Sequence, residues 1–270
     1  MLRTVLLLGF LTSIFLGAGF LIAGTFGMTV AFIIAVFFNL FSYWYSDKIV
    51  LSMYRAKPVK NKEIDNIVEE LAEKAKIKKP KLYIVDTKIP NAFATGRNPD
   101  NSAIAVTKGL IEELDKDEIE GVLAHEISHI KNRDILISTI AATIGGAISY
   151  LVNIAWWSIF AGDRDNNILL LPLLLLAPLS ATIVQLAISR AREYHADYSA
   201  GIITRKPLSL ASALRKIENF ANSYKIRGNH ATSHMFIVNP FRGDSLSKLF
   251  STHPPTYERI KKLEELNKKI

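Results

Sequence analysis

The chain has 270 residues, of which 49% are hydrophobic and 21% charged, with a net charge of +8 and a mean hydropathy of +0.19. The charges are unevenly spread, because residues 1–46 carry only Arg3 and residues 137–189 carry only Asp163, Arg164 and Asp165. This distribution excludes a simple soluble globule, a disordered chain and a bare membrane bundle. The absence of cysteine excludes disulfides, thiolate metal sites and thiol nucleophiles.

Four long stretches without charge predict membrane-spanning helices: Val5–Ala23, Met28–Tyr45, Ile137–Phe160 and Ile168–Ile188. Each is close to the ~20 residues that a helix needs to cross the hydrocarbon core of a bilayer. The first run resembles a signal peptide, but its length and the second run directly after it favour a helical hairpin. The last two runs contain polar residues and prolines, so buried helices of a soluble domain are an alternative for them.

Lysine and arginine residues around these runs predict the orientation of the chain. Loops 24–27 and 161–167 lack excess positive charge, whereas Lys48, Arg190 and Arg192 lie just beyond the second and fourth runs. The positive-inside rule therefore predicts a multi-pass plasma-membrane protein with both termini in the cytoplasm. The positive charge is assigned to anionic lipid headgroups, and no motif indicates nucleic-acid binding.

The fold class predicted from these patterns is mainly α with a small β-hairpin or sheet. The chain divides into two transmembrane pairs, 1–46 and 137–189, and two cytoplasmic parts, 47–136 and 190–270. Within the first cytoplasmic part, Asp115 and Glu118 form a capping box for a helix through Lys131. Other predicted elements are a helix at Glu63–Ala75, a strand at Lys81–Val85, a hairpin of Ala92–Thr95 with Ala103–Thr107, and helices at Ser189–Ile203, Leu208–Phe220 and Tyr257–Lys268.

The segment His125-Glu126-Ile127-Ser128-His129 has a specific chemical interpretation. On the predicted helix both histidines lie on one face, so both imidazoles can reach a single Zn²⁺. Glu126 lies beside them and can take a proton from a water molecule that the metal activates. The uncharged flanks predict a buried helix rather than two surface histidines. This H-E-x-x-H pattern therefore predicts one zinc ion per chain, with Glu126 as catalytic base.

A catalytic zinc ion needs a third protein ligand, which in a chain without cysteine is His, Asp or Glu. Glu193 and Asp197 share one face of the helix that follows the fourth apolar run. We expect Glu193 to bind the metal and Asp197 to hold the second ring nitrogen of His125. The third and fourth runs form an antiparallel pair in this interpretation, which returns both motif helices to one membrane face.

Five segments of the chain resemble, in sequence and in order, the membrane-embedded HtpX-type zinc metalloproteases. The segments are Asn91–Gly96, His125–His129, Ser189–Asp197, His234–Pro240 and Ser251–Pro255. The wider group includes the CAAX prenyl endopeptidases. The resemblance implies a gluzincin-like α+β protease domain with four transmembrane helices.

The resemblance further implies zinc on His125, His129 and Glu193, with Glu126 catalytic. It implies polypeptide substrates, namely damaged or misfolded membrane proteins that are cleaved at the cytoplasmic face. A prenyl-protein endopeptidase and a catalytically silent membrane scaffold or chaperone are the alternatives, and oligomeric state is left open.

Three further expectations complete the predicted site. His253, which precedes two prolines, either approaches the zinc or stabilises an oxyanion, or it only packs a loop. Arg259 either binds a substrate carbonyl or pairs with Asp197. Asn91, Ala92, Phe93 and Ala94 form either an edge strand that binds an extended substrate or an ordinary hairpin strand.

Overall fold

The computed structural model of the chain describes residues 2–59, 61–136, 190–223, 236–238 and 254–270. The predicted membrane runs Ile137–Phe160 and Ile168–Ile188 lie outside these residues, as does His253. The helices are α1 (Leu2–Met53), α2 (Lys62–Ala75), α3 (Lys108–Glu113), α4 (Lys116–Lys131), α5 (Arg190–Thr204), α6 (Pro207–Ser223) and α7 (Thr256–Asn267). The strands are β1 (Lys57–Pro58), β2 (Lys81–Val85), β3 (Ala92–Asn98) and β4 (Asn101–Thr107).

Helix α1 consists of two segments that fold back on each other as a hairpin. The helical backbone breaks at Gly24, which adopts φ 58° and ψ −141°, a conformation that favours glycine. Gly19 and Gly27 then meet so closely that a Cβ atom on Gly27 would lie 2.1 Å from the carbonyl oxygen of Gly19. Asn39 Nδ2 donates a hydrogen bond of 3.0 Å to Thr12 Oγ1. Small residues thus let the two segments pack closely, as in membrane helix pairs.

The segment Ala23–Tyr45 is long and apolar enough to cross a membrane. Its large apolar side chains are exposed, with Phe26 75% and Phe37 67% accessible, and an apolar surface of this kind is typical of contact with lipid or a partner. Within the described residues, Ala23–Tyr45 is the one segment that meets this test. The four membrane helices therefore stay a prediction.

The strands of the described chain form one four-stranded sheet in the order β1-β2-β4-β3. β3 and β4 form the predicted antiparallel hairpin, with Ala92 opposite Val106. β2 pairs with β4 in parallel, with Lys81 opposite Ala103. β3 is therefore one of the two edge strands, and it contacts both α4 and α1.

The hydrophobic core is built around α4, which packs on α2, α5 and α6. Leu123 and Ile127 on α4 are fully buried, and each such side chain contributes about 1.5–3 kcal/mol when it is removed from water. The same core includes Leu210 and Leu214 of α6 and Leu263 of α7. Residues from both predicted cytoplasmic parts therefore share one core.

Most predicted elements are confirmed within a few residues, including the capping box. Asp115 Oδ1 accepts a hydrogen bond from the Glu118 N–H, and Glu118 Oε2 accepts one from the Asp115 N–H, both at 2.9 Å. The β3–β4 hairpin is longer than predicted, because its strands continue to Asn98 and Asn101. α3 and β1 were not predicted, since elements of 6 and 2 residues show no clear periodicity.

Candidate active site

Helix α4 carries His125, Glu126 and His129 into the centre of the protein. His125 is 2% exposed and Glu126 5%. Buried polar side chains require partners, and each of these three has contacts on a neighbouring element. The capping box fixes where α4 begins, and its apolar residues fix which sides face α2, α5 and α6.

Potential ligand atoms of three residues converge between α4 and α5. Nε2 of His125 lies 3.2 Å from Nε2 of His129 and 3.7 Å from Oε2 of Glu193, and Nε2 of His129 lies 3.5 Å from Oε1 of Glu193. Ligands of a tetrahedral zinc ion are about 3.3 Å apart, given the usual bond lengths. The spacing therefore fits one zinc ion, and these residues form a group that could hold a metal ion.

Helix α5 packs closely on α4 because its small residues face the interior, and its two carboxylates thereby reach the histidines. Ala196 and Ala200 are buried on the same helix and allow the two backbones to approach. Glu193 and Asp197, one turn apart, are 5% and 2% exposed. Both predicted carboxylates thus lie at the histidines, with Glu193 beside the Nε2 atoms and Asp197 behind His125.

Asp197 lies between His125 and Arg259. Its Oδ1 is 2.9 Å from Nδ1 of His125, and Arg259 donates hydrogen bonds from Nε to Oδ2 at 2.8 Å and from Nη2 to Oδ1 at 2.7 Å. Burial opposes the charge of Asp197, but Arg259 and His125 outweigh burial and lower its pKa to about 2. An ionised Asp197 at Nδ1 leaves Nε2 of His125 available to a metal.

Arg259 donates hydrogen bonds to two buried partners, and Oε2 of Glu193 lies 4.0 Å from its Nη1. Besides Asp197 it reaches the carbonyl oxygen of Ile237, to which Nη1 donates at 2.9 Å. The side chain is 1% exposed. Of the two sequence expectations for Arg259, this geometry matches the pairing with Asp197, and the contact with a substrate carbonyl stays a prediction.

Sequence reasoning missed Asp134, which relates to His129 as Asp197 relates to His125. Its Oδ2 is 3.3 Å from Nδ1 of His129, and its Oδ1 accepts a hydrogen bond of 3.3 Å from Nη1 of Arg192. Burial opposes a charge on His129, but Glu193 and Asp134 outweigh burial and raise its pKa to about 9. The carboxylates therefore favour positive charge at this position, which a divalent cation also provides.

The position of Asp134 follows from the end of α4. Arg133 adopts φ 60°, and the Asp134 N–H donates to the His129 carbonyl at 3.0 Å. The chain thereby turns back over the helix end. A single acidic residue in a turn produces no periodic pattern, so its place five residues after His129 was the available signal.

The carboxylate of Glu126 is held by the edge strand. Its Oε2 accepts a hydrogen bond of 2.8 Å from the backbone N–H of Ala94. Burial raises the pKa of the Glu126 carboxyl, although His125 and His129 act in the opposite direction. A raised pKa suits a group that must both accept and return a proton near neutral pH.

Asn91, Ala92, Phe93 and Ala94 lie at the start of β3 and its approach. The Asn91 carbonyl accepts a hydrogen bond from the Thr107 N–H, so alternation directs the backbone groups of Ala92 and Ala94 away from β4. The Asn91 side chain accepts a hydrogen bond from the Ile237 N–H at 3.0 Å, and the Phe93 ring contacts the protein interior. All four residues are buried, none more than 9% exposed, and substrate binding along β3 stays a prediction.

The remaining candidate, His253, lies outside the described residues. Its role as a zinc ligand or oxyanion partner stays a prediction. The segment Phe236–Val238, by contrast, is described and buried, and it connects Arg259 with Asn91 through the two hydrogen bonds of Ile237.

Comparison with known proteins gives concordant results. The model of Peptidase family M48 matches residues 58–267. The Protease HtpX homolog of a Sulfurihydrogenibium species is 52% identical over 286 residues, covering 100% of this chain and 97% of that protein. The Protease HtpX homolog of Pyrococcus furiosus is 55% identical over 274 residues, covering 98% and 95%.

The fold is also similar to a solved structure, that of S. mikatae Ste24p. The TM-score is 0.55 at 22% sequence identity, and the match covers 94% of this chain and 62% of that chain. This likeness shows a shared fold. The sequence matches confirm the resemblance inferred from the motifs: the chain belongs to Peptidase family M48, as a protease of the HtpX type.

Proposed function

We propose that this chain is an integral-membrane, zinc-dependent endopeptidase that cleaves damaged or misfolded membrane proteins at the cytoplasmic face. The observation that carries the proposal is the convergence of His125, His129 and Glu193 with spacings that suit one zinc ion. Glu126, held by Ala94, lies beside this group. An intact Glu126 favours an enzyme over a silent scaffold.

His125, His129 and Glu193 would hold the zinc ion. When bound, zinc acts as a Lewis acid that polarises a peptide carbonyl and lowers the pKa of water. Glu126 accepts the proton of the attacking water and passes it to the amine that leaves, a task for which its raised pKa suits it. Asp197 and Asp134 hold the Nδ1 sides of the histidines, so that both rings keep their Nε2 atoms directed inward.

An extended substrate binds along the edge of β3 in this proposal. The backbone of Ala92 and the carbonyl of Ala94 are directed away from β4 and offer hydrogen bonds that do not depend on substrate side chains, whereas the Ala94 N–H is bonded to Glu126. Such recognition suits unfolded polypeptides of varied sequence. Because the Ala94 N–H holds the Glu126 carboxylate, a substrate backbone bound beside Ala94 lies next to the catalytic base.

Membrane anchoring by the α1 hairpin completes the proposal. The exposed apolar surface of Ala23–Tyr45 and the close Gly19–Gly27 contact support a membrane hairpin. The loop at Gly24–Gly27 then lies outside the cytoplasm, and residues 47–136 and 190–270 form the protease on the cytoplasmic side. Residues 137–189 supply the second transmembrane pair.

The test is proteolysis by the purified full-length chain and by Glu126→Gln. We expect the wild type to cleave an unfolded protein such as casein, to lose activity with a chelator and to regain it with zinc. Glu126→Gln should bind zinc but cleave about 10²–10⁴-fold more slowly, the usual contribution of a catalytic base. Cleavage by Glu126→Gln at the wild-type rate would contradict the mechanism.

The same assay separates the alternatives. A prenyl-protein endopeptidase cleaves a prenylated peptide in preference to the same peptide without the lipid, and a silent scaffold cleaves neither. We expect cleavage of unmodified, unfolded polypeptides.

A further inference from the structure

The end of the candidate membrane span shows where the membrane–water interface would cross α1. The apolar segment ends with Tyr43, Trp44 and Tyr45, and the first charged residues after it are Asp47 and Lys48. Aromatic residues followed by charge are typical of the membrane–water interface. If the segment spans a membrane, Trp44 lies at the interface.

Strand β3 runs beside this part of α1 and in the opposite direction. The guanidinium carbon of Arg97, near the end of β3, lies 4.2 Å from the centre of the Trp44 ring. The Phe93 ring, near the start of β3, lies 4.9 Å from the Tyr54 ring just beyond α1. Two contacts thus fix the two ends of the strand against the helix.

The distances along the two elements agree. Trp44 and Tyr54 are ten residues apart, about 15 Å along a helix, and Phe93 and Arg97 are four residues apart, about 13 Å along a strand. β3 therefore runs alongside the helix, with a register irregularity between Gly96 and Asn98 at its Arg97 end. Its Arg97 end lies at the level of Trp44 and its Phe93 end lies farther from the membrane.

The attachment of β3 to α1 is tightly packed as well as aligned. Val50 and Leu51 of α1 are buried in a cluster with Phe93 of β3 and with Ala103 and Ala105 of β4. A closely packed interface is rigid, so β3 keeps a fixed position relative to α1. The height of the active site above the membrane is therefore set by the fold.

We propose that the protease selects peptide bonds by their distance from the membrane, cleaving about three residues from the point where a substrate leaves the bilayer. The value follows from Ala94, which holds Glu126 and is three residues from Arg97, about 10 Å along β3. An extended substrate beside β3 has the same rise per residue, so it also covers this distance in about three residues. The inference rests on the proposed function, namely a membrane-anchored protease that binds substrates along β3.

The test uses the full-length protein in liposomes with single-span reporter proteins. Each reporter carries the same repeated, unstructured sequence on the cytoplasmic side of its span, so that every peptide bond has equivalent neighbours. A second reporter has its span lengthened by four leucines at the cytoplasmic end, at the expense of the repeat. Cleavage sites are mapped by mass spectrometry of the released fragments.

We expect the sites to cluster about three residues from the end of the span and to move by four residues with the longer span. Trp44→Ala should broaden the distribution, Trp44→Phe should keep it narrow, and both should cleave casein at the wild-type rate. Sites that stay at the same sequence position when the span is lengthened would overturn the inference, as would an unchanged narrow distribution with Trp44→Ala.

Casein separates failure of this inference from failure of the proposed function. An enzyme that cleaves casein in a zinc-dependent way but cuts the reporters without regard to distance is a protease without the proposed selection. An enzyme that cleaves neither casein nor the reporters contradicts the proposed function, and the inference with it.

Discussion

The backbone N–H of Ala94 lies 2.8 Å from Oε2 of Glu126 and donates a hydrogen bond to it. This contact joins the edge strand of the sheet to the helix that carries the histidines. The position of a substrate on β3 and the position of the base are therefore coupled through one residue.

Ala94→Pro tests this contact, because proline removes the N–H while its φ is compatible with an edge strand. Hydrogen bonds to charged groups contribute ~1.5–3 kcal/mol, so we expect kcat to fall about 10–100-fold. Ala92→Pro, which removes an N–H on the same side of β3, is the control and should lower kcat much less. Equal losses in kcat would assign the effect to the strand and not to Glu126.

The buried pair of Asp197 and Arg259 should separate stability from metal affinity. Arg259→Met leaves the buried Asp197 charge without its guanidinium, so we expect the free energy of unfolding to fall by about 3–5 kcal/mol. The double variant Asp197→Leu/Arg259→Met removes both charges and should recover much of that loss. Chemical denaturation in detergent measures both.

Zinc affinity should respond differently in the same double variant. His125 then lacks a carboxylate at Nδ1, and affinity should fall about 10–100-fold although stability is recovered. Wild-type zinc affinity in the double variant would show that Asp197 does not act on the metal site.

Asp134→Asn tests the residue that sequence reasoning missed. The substitution keeps the shape of the side chain but removes the charge at Nδ1 of His129, so zinc affinity should fall about 10–100-fold. Asp117→Asn on the exposed face of α4 is the matched control, since Asp117 contacts only Lys206 among the ion pairs of the described chain. Competition with a chromogenic chelator measures both variants, and equal affinities would exclude a role for Asp134.

The α1 hairpin can be tested by crosslinking, because the native chain has no cysteine. Thr12→Cys with Asn39→Cys should form a disulfide under mild oxidation, since the two native side chains are in hydrogen-bond contact. Adding Gly27→Leu should abolish the crosslink, because its Cβ atom would lie 2.1 Å from the Gly19 carbonyl oxygen. Gly17→Leu, where a Cβ atom meets nothing within 4 Å, should leave the crosslink unchanged.

Local patterns in the sequence were sufficient to predict most elements of the protease part. The apolar spacing of α2 and the capping box of α4 act within a few residues, so they are visible without tertiary structure. The H-E-x-x-H segment could be interpreted for the same reason, since one helical turn brings its histidines together. The parallel pairing of β2 with β4 was not predictable from such patterns, because it depends on segments that meet only in the folded chain.

Longer-range contacts of the site were predictable only in part. Arg259 is 62 residues from Asp197, and its pairing was one of two expectations until α5 and α7 could be placed together. Asp134 gives no periodic signal in the sequence, because it is a single residue beyond the end of a helix. The hydrogen bond from Ala94 to Glu126 gives none either, because it joins the edge of a strand to a distant helix.

The zinc content of Glu193→Ala beside Glu126→Gln is the most direct measurement of the central claim. Both residues are buried carboxylates at the histidines, but only Glu193 lies within ligand distance of both Nε2 atoms in the proposed arrangement. We expect close to one zinc ion per chain in the wild type and in Glu126→Gln, and almost none in Glu193→Ala at micromolar zinc. Full zinc content in Glu193→Ala would contradict the site, and loss of zinc in Glu126→Gln would contradict the assignment of Glu126 as a base that does not bind the metal.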